Sequence, residues 1–195
     1  MARYDKGHKA TTHQRVVRLA ARRFRESGLS AVGVASLMGE AGLTHGGFYG
    51  HFPSKQALIR EALVSALSDT RQHLEKVAHA QGGLAALLHA YLGADHRDNP
   101  ADGCAIAALA AEVSREPEET RAAFAEQTQA LIALIESQLP PATQQQAGRP
   151  AKAVLATMLG TLLLARTTTD RAEADAMLEI GMQAALQLGQ TGVLS

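Results

Sequence analysis

Hydrogen-bond donors surround two adjacent glycines between residues 44 and 55. The donors are Thr44, His45, Tyr49, His51 and Lys55, and the glycines are Gly46 and Gly47. Hydroxyl, imidazole and ammonium groups are side chains that donate to phosphate oxygens. Two consecutive glycines expose the backbone and allow a partner to approach it closely. The residue types and their spacing therefore indicate noncovalent recognition of a polyanion that carries phosphates.

Patterns that would indicate catalysis or metal binding are weak. The histidine pairs His45/His51, His73/His79 and His89/His96 lack the i, i+4 spacing that favours metal binding on a helix. The sequence contains no nucleophile elbow, zinc-protease motif or phosphate loop. Its single cysteine, Cys104, excludes an internal disulfide and a Cys-rich zinc site. We expect no catalytic residue, metal or cofactor, and an enzyme that pairs Cys104 with a histidine is the alternative.

Charge is distributed unevenly along the chain. Residues 1–60 carry ten Lys or Arg and three Asp or Glu. Residues 61–195 carry nine Lys or Arg and sixteen Asp or Glu. The first part therefore has a formal net charge of +7 and the rest has −7. A basic part favours contact with nucleic-acid phosphates, because Lys and Arg release condensed counterions on binding. Basic patches also aid solubility, so charge alone leaves both interpretations open.

The composition favours an all-α protein. Hydrophobic residues make up 46% of the 195 residues and aromatic residues only 4%, with no Trp. The core is therefore built mainly from Leu, Ala, Val, Ile and Met, in which the helix formers outnumber the β-branched residues. No apolar stretch reaches the roughly 18 uncharged residues of a membrane span. We expect a soluble, cytoplasmic protein that has no membrane partner.

The spacing of apolar residues and chain breaks predicts about nine helices. After a mobile basic arm at residues 1–10, the predicted helices run from Thr11 or Thr12 to Ser27 and over 34–41, 45–51 and 55–80. Later breaks predict helices over 84–92, 103–115, 118–139, 151–168 and 171–188, with an exposed loop over 142–150. A turn at Gly42 joins the second and third helices. This arrangement is typical of a helix-turn-helix, in which the third helix enters a DNA major groove.

The segment Gly42–Leu58, GLTHGGFYGHFPSKQAL, resembles the signature of TetR-family transcriptional repressors. Further matching positions lie upstream at Ala20–Phe24, Glu26–Gly28, Val34 and Leu37-Met38, so the resemblance covers about sixty residues. It implies a three-helix DNA-binding domain at residues 1–54. It also implies a helical domain for ligand binding and dimerisation at residues 55–195.

The resemblance assigns DNA contacts residue by residue. It implies that four side chains contact phosphates: Thr44, Tyr49, His51 and Lys55. It also implies that Gly46 and Gly47 lie close to base edges and that Phe48 contacts a base or a sugar. From the start of the chain, Lys9 and Thr12 are expected to join this surface. His45 departs from the family pattern, which has Lys or Arg there, and a histidine carries less charge at pH 7. We therefore expect a weaker or pH-sensitive phosphate contact at that position.

The same resemblance implies a ligand pocket and a two-fold dimer in the second domain. The candidate pocket residues are Tyr91, Phe124, Met158, Arg166, His89 and Cys104. A pocket built from Leu, Ala and Met would favour an apolar or aromatic small molecule. The candidate dimer residues, on the last two helices, are Leu155, Leu159, Leu162, Met177, Ile180 and Ala184. A dimer is also what a helix-turn-helix needs to read a palindromic operator in double-stranded DNA.

The expected function is that of a dimeric repressor released by a small apolar or electrophilic ligand. One alternative involves Cys104, because Asp102–Val113 resembles a Gly-Cys-apolar stretch of one branch of the family. In some members of that branch a cysteine at this position senses electrophiles or oxidants, whereas a free cysteine is more commonly a buried small residue. Regulation without an effector, and activation instead of repression, are the further alternatives.

Overall fold

The computed structural model describes residues 3–144 and 148–191, and within these ranges the chain is helical without any strand. In chain order the first elements are α1 (Arg3–Ser27), α2 (Val34–Glu40), a first 3₁₀ helix (His45–Gly50) and α3 (Lys55–Gln81). They are followed by α4 (Gly83–Tyr91), α5 (Ala94–Asp98), a second 3₁₀ helix (Pro100–Asp102), α6 (Ala105–Val113), α7 (Glu118–Ser137), α8 (Pro141–Gln144), α9 (Arg149–Thr167) and α10 (Arg171–Thr191). No helix in the described ranges is long and apolar enough to cross a membrane.

The structure confirms the all-α prediction and corrects it in four places. The expected mobile arm is wrong for residues 3–10, which belong to α1, while residues 1–2 lie outside the described ranges. The third predicted helix is a 3₁₀ helix that ends at Gly50. The connection before Cys104 contains α5 and the second 3₁₀ helix, which the prediction missed. The predicted loop over 142–150 contains most of α8 and the start of α9, and residues 145–147 lie outside the described ranges.

We call residues 3–54 the head. Its core forms where α1 packs along α2 and α3, with a stripe of fully buried Val16, Ala20 and Phe24 at i, i+4 spacing on α1. Leu37 and Met38 of α2 are also buried in the core. This packing, in which short helices lie across one long helix, fixes the position of the first 3₁₀ helix at the surface.

Helix α3 begins in the head and continues into the body, which we define as residues 55–144 and 148–191. Ser54 caps its first turn, because the Ser54 hydroxyl accepts a hydrogen bond from Ala57 N at 3.1 Å. At the other end Gly82 has φ +116°, a left-handed conformation that ends a helix readily only at glycine. In between, α3 packs against α1, α4 and α7. One continuous helix therefore connects the head with the body.

Beyond α3, the head contacts the body through three polar links made by the last turns of α1 and the residues just after it. Arg25 Nε donates to the Ala101 carbonyl at 2.6 Å, Arg22 pairs with Asp102 at 3.1 Å, and Leu29 N donates to the Glu112 carboxylate at 2.8 Å. We call these three links the α1 joint. They connect the end of α1 to the second 3₁₀ helix and to α6, which lie far from α1 in sequence but next to it in space.

The last two helices, α9 and α10, form the most extensively packed helix pair of the body. Close approach requires glycine at position 181, because a Cβ there would lie 2.1 Å from the hydroxyl oxygen of Thr161. Three large apolar side chains of this pair nevertheless face outward: Leu163, Leu164 and Ile180 are 45%, 58% and 70% exposed. The pair thus completes the body core on one side and leaves an apolar surface on the other.

Candidate nucleic-acid interface and cavity

The segment between α2 and α3 presents the predicted DNA-binding residues at one end of the head. Gly42 has φ +69° in the turn, and Leu43 N donates to Met38 O at 2.8 Å. The Thr44 hydroxyl then caps the first 3₁₀ helix by accepting a hydrogen bond from Gly47 N at 3.3 Å. These local contacts determine which side of the short helix faces solvent.

Most of the predicted DNA-binding residues are accessible on this end of the head. Tyr49 is 68% exposed, although it is a large aromatic residue. Thr44, His45, Gly46 and Lys9 are exposed, and Gly47, His51 and Lys55 are half-buried. An exposed aromatic hydroxyl beside exposed donors and backbone amides forms a surface that suits phosphate and groove contacts.

The structure contradicts two of the predicted contacts. Phe48 is only 2% exposed, and its ring lies 5.5 Å from that of Phe52, so it packs the first 3₁₀ helix onto the head. Its expected contact with a base or sugar is therefore wrong for this structure. Thr12 is 7% exposed, because it lies inside α1 on the same stripe as Val16 and does not cap a helix. A direct DNA contact by its side chain is therefore not available.

His51 lies next to His13 and Phe52, and the sequence analysis did not identify His13 as part of this site. His13 stacks on Phe52 at 4.3 Å, and its Nε2 lies 2.6 Å from a carboxylate oxygen of Glu61 on α3. The Nδ1 atom of His51 is buried and has no hydrogen-bond partner in the described part of the chain. Desolvation, followed by the nearby positive charges of His13 and Lys9, lowers the pKa of His51 below 6.5. His51 is therefore mostly neutral at pH 7 in the absence of DNA.

The body contains a cavity of about 700 Å³ where α1, α3 and α4 meet the chain leading into α6. Tyr91, Gly103 and Cys104 contribute buried walls to it, and Arg25 reaches it from the head. A second hollow, of about 720 Å³, lies along α1 and α3, but Val17 is the only buried residue among those that line it. The first cavity is therefore the deeper of these two sites.

His96 holds the wall of this cavity together. Its Nδ1 lies 2.6 Å from the Tyr91 carbonyl and its Nε2 accepts a hydrogen bond from Cys104 N at 2.9 Å. Only the neutral ring with its proton on Nδ1 makes both bonds, since a carbonyl accepts and an amide donates. Burial is the main cause that lowers the pKa of His96 below 6.5, although the hydrogen bond to Tyr91 raises it. His96 thus connects α4 to the start of α6 in its uncharged form.

Two of the six predicted pocket residues, Tyr91 and Cys104, line this cavity. His89 is exposed, Phe124 and Met158 are buried, and none of the three is among the residues that line it. Arg166 lies behind the wall, where it donates to the His96 carbonyl at 2.8 Å. The cavity is also lined mainly by polar residues, and it differs in this respect from the expected Leu, Ala and Met pocket.

The sequence analysis missed Arg25, Asp69 and Asp95 as cavity residues. Arg25 gave one recognisable signal, because it follows the buried Ala21 by one helical turn and so places a charge on a buried stripe. In the described ranges no group of three or more His, Cys, Asp or Glu side chains is arranged to hold a metal ion.

The predicted dimer residues divide into two groups. Leu155 and Leu162 are 4% and 0% exposed, so they belong to the core of the body and the expectation that they form an interface is wrong. Leu159 and Met177 are half-buried, and Ala184 is exposed. Ile180 is exposed, and with Leu163 and Leu164 it forms the surface of α9 and α10 that is available to a partner.

Two family models match the chain, one over the head and the start of α3 and the other from the end of α3 onward. The model described as "Bacterial regulatory proteins, tetR family" matches residues 5–62. The model described as "Transcriptional regulator LmrA/YxaF-like, C-terminal domain" matches residues 82–179, which is half of the chain. The first match includes the whole DNA-facing segment, and the second includes most of the cavity wall.

Similar proteins agree with these matches. The chain is 30% identical over 84 residues to the probable HTH-type transcriptional regulator ArpR of Pseudomonas putida and 30% identical over 81 residues to the HTH-type transcriptional regulator TtgR of the same species. These matches cover 43% and 42% of this chain but only 40% and 38% of the two relatives. Reduced NemR of E. coli shares the fold, with a TM-score of 0.76 and 21% identity over 94% of this chain and 100% of that one.

We predict that stability falls as the pH drops below 6.5, the ordinary pKa of histidine, in part because of His96. The folded state holds His96 neutral while the unfolded state takes up a proton, so acid favours unfolding. The free energy of unfolding in urea, measured from pH 7.5 to pH 5.5, should decrease for the native chain and less steeply for His96→Gln. His89→Gln, at an exposed position on α4, is the matched control. Equal slopes for all three proteins would contradict the assignment to His96.

Proposed function

Because this chain belongs to the tetR family of bacterial regulatory proteins, we propose that it is a homodimeric repressor. In this proposal residues 1–54 bind a palindromic operator in double-stranded DNA, and residues 55–195 bind a small-molecule effector and dimerise. The protein acts in the cytoplasm, where the DNA is. The observation that carries the proposal is the exposed Tyr49, beside Thr44, His45 and Lys55, at one end of a basic head.

The electrostatics support DNA as the partner of the head. Each phosphate that a Lys or Arg neutralises releases counterions, so binding to DNA weakens as salt increases. Few side chains of the first 3₁₀ helix are able to read base edges, because three of its six residues are glycines, at positions 46, 47 and 50, and Phe48 is buried. Specificity in this proposal therefore depends strongly on the shape and deformability of the operator.

Repression is relieved when an effector favours a head orientation that does not fit the operator. An effector shifts this equilibrium only by its difference in affinity between the two orientations. Helix α3 and the α1 joint are the two connections through which the cavity is coupled to the head. Dimerisation in this proposal uses the outward apolar surface of α9 and α10, since a surface of this kind commonly marks a protein interface.

The first test is binding of the purified protein to the intergenic DNA upstream of its own gene, together with a promoter reporter. Tight binding to a palindrome that depends steeply on salt, with lower reporter output when the protein is present, supports a repressor. Higher reporter output supports the alternative of an activator. Equal, weak binding to every duplex contradicts operator recognition.

We predict that Lys55→Ala weakens operator binding and reduces the slope of log affinity against log salt by roughly one per protomer. Lys55 lies at the first position of α3, next to the first 3₁₀ helix. Lys76→Ala is the matched control, because Lys76 is exposed on the same helix near its distant end. Fluorescence anisotropy with labelled operator measures both variants. An unchanged slope for Lys55→Ala would remove Lys55 from the interface.

We predict that Ile180→Glu converts the dimer to a monomer, because a charge would be buried against the partner's apolar surface. Ile180 is 70% exposed in the single chain, so the substitution should leave the fold of each subunit intact. Ala125→Glu, at an exposed position of α7, is the control. Sedimentation equilibrium gives the mass, and circular dichroism checks the helix content. A dimeric Ile180→Glu variant would show that this face is not the interface.

A second candidate function, release by oxidation or alkylation of Cys104, has one observation in its favour: the residue lines the cavity at the start of α6. Cys104 is fully buried, with 0% of its surface exposed. A reagent therefore reaches its sulfur atom only if the wall of the cavity moves aside. We therefore rank it below noncovalent release. Cys104→Ala separates the two candidates in the operator-binding assay with an electrophile such as N-ethylmaleimide. If the electrophile releases the native protein from DNA but not Cys104→Ala, thiol sensing is supported. If both proteins respond equally, thiol sensing is excluded.

A further inference from the structure

We propose that the effector of this cavity is an amphipathic organic cation, a drug-sized molecule with a protonated amine, and that repulsion between this cation and Arg25 transmits binding to the head. The inference rests on the proposed function and specifies the effector class and the route of coupling. It follows from three features of the cavity: a buried hydroxyl that has only a thiol beside it, two carboxylates without ion-pair partners, and an arginine shared with the head.

The first feature is the hydroxyl of Tyr91. Tyr91 is 1% exposed and lines the cavity, and the weakly bonding thiol of Cys104 is the one hydrogen-bonding neighbour of its hydroxyl among the described residues. A buried polar group without a partner is costly, and a native structure seldom leaves one unsatisfied. Burial, and next the neighbouring Cys104, raises the pKa of Tyr91 well above 10, so it stays neutral. A ligand amine that donates to this oxygen would satisfy it.

The second feature is the sign of the charge around the cavity. Among the described residues that line it, Asp69, Asp95 and Asp102 carry negative charge and Arg25 is the one Lys or Arg. Asp102 is paired with Arg22, whereas Asp69 and Asp95 have no ion-pair partner in the described ranges. His96 is held neutral by its two hydrogen bonds and adds no charge. Arg166 adds a second guanidinium behind the wall, within electrostatic reach of Tyr91 and Cys104, so a cation is attracted locally, next to Asp69 and Asp95.

The size and the remaining walls suit an amphipathic ligand. A volume of about 700 Å³ lies within the usual range for drug-sized molecules. Ala66, Leu74 and Ala90 supply apolar surface from α3 and α4, and the Tyr91 ring adds an aromatic face. An aromatic ring also stabilises a cation near its face. The ligand that fits combines a protonated amine with an apolar or aromatic body.

The third feature couples the site to DNA binding. Arg25 Nε donates to the Ala101 carbonyl in the α1 joint, and the same side chain forms part of the cavity wall. Burial is the main cause that lowers the pKa of Arg25, and Asp102 and Asp69 only partly offset it. A second cation in the cavity would repel this guanidinium and favour head orientations in which Arg25 has moved away. By linkage, DNA that holds the head in place would weaken cation binding by the same factor.

The test uses three probes with one carbon skeleton and different charges: naphthylbutylamine, naphthylbutanol and naphthylbutanoate. Isothermal titration calorimetry with the full chain, in the absence of DNA, measures their affinities. We expect the amine to bind tightest, roughly tenfold or more above the carboxylate, because the charges in the cavity favour a cation. A carboxylate that binds tightest would place an anion on Arg25 and overturn the proposal. Equal affinities, or no binding of any probe, would also overturn it.

Two substitutions and one control locate the bound amine. Asp95→Asn should reduce the preference for the amine over the alcohol, whereas Glu126→Gln, which removes an exposed carboxylate on α7, should keep it. Tyr91→Phe should weaken amine binding while the melting temperature stays the same or rises, since it removes an unsatisfied buried hydroxyl. If Tyr91→Phe lowers the melting temperature, the affinity of Asp95→Asn for the amine and the alcohol still tests where the amine binds. Unchanged amine binding by both variants overturns the site.

Coupling is tested with Arg25→Leu and labelled operator DNA. The native protein should release DNA when the amine is added, and Arg25→Leu should bind the amine as tightly or more tightly while losing this release. If the native protein binds the amine but keeps its DNA, the coupling route fails. Failure of the proposed function is a distinct result, because the protein then binds no operator whether or not a probe is present. Failure of the ligand class alone leaves salt-dependent operator binding intact.

Discussion

The structure depends on one uninterrupted helix that belongs to both halves of the molecule. Helix α3 has 27 residues, so it extends about 40 Å, from its Ser54 cap beside the first 3₁₀ helix to the exposed Gly82 at the far end of the helix. Its buried face includes Leu58 and Leu63 near the head and Leu74 near the cavity. Because a packed helix moves largely as a rigid element, a shift of the middle of α3, where Ala66 and Leu74 line the cavity, also moves the end that meets the first 3₁₀ helix.

Much of the fold and of the DNA-facing surface could be predicted from the sequence, and the failures have identifiable causes. The turn at Gly42 is a local signal, because glycine readily takes the positive φ that it has there, so the sequence predicts it correctly. The contact of Phe48 with DNA is implied by the family resemblance alone, whereas in the structure Phe48 packs inward from a 3₁₀ helix against Phe52. The assignment of Thr12 fails because the basic residues before it suggest an arm instead of the first turns of α1.

The cavity could not be predicted because its wall is formed by segments that are distant in sequence. Residues 93–104 are rich in Gly, Asp, His and Asn, so their local pattern indicates a connection, not a wall. The contact between His96 and Cys104 N and the reach of Arg25 to Ala101 arise only when α1 and the start of α6 pack together. Sequence periodicity reports which residues are buried within one helix, but it does not report which buried surfaces meet.

The α1 joint determines how firmly the head is held at a given angle on α3. Its ion pair Arg22–Asp102 is more than half exposed on both sides, so solvent and salt screen it and it contributes little. A typical hydrogen bond contributes about 1 kcal/mol net, and a typical allosteric coupling is about 1–3 kcal/mol. The free energy needed to rearrange the hydrogen bonds of Arg25 and Leu29 to the body is therefore similar to a typical allosteric coupling free energy. Buried apolar contacts such as those of α1 on α3 cost several times more to rearrange, so in this proposal the effector rearranges the polar joint and leaves most of that apolar packing in place.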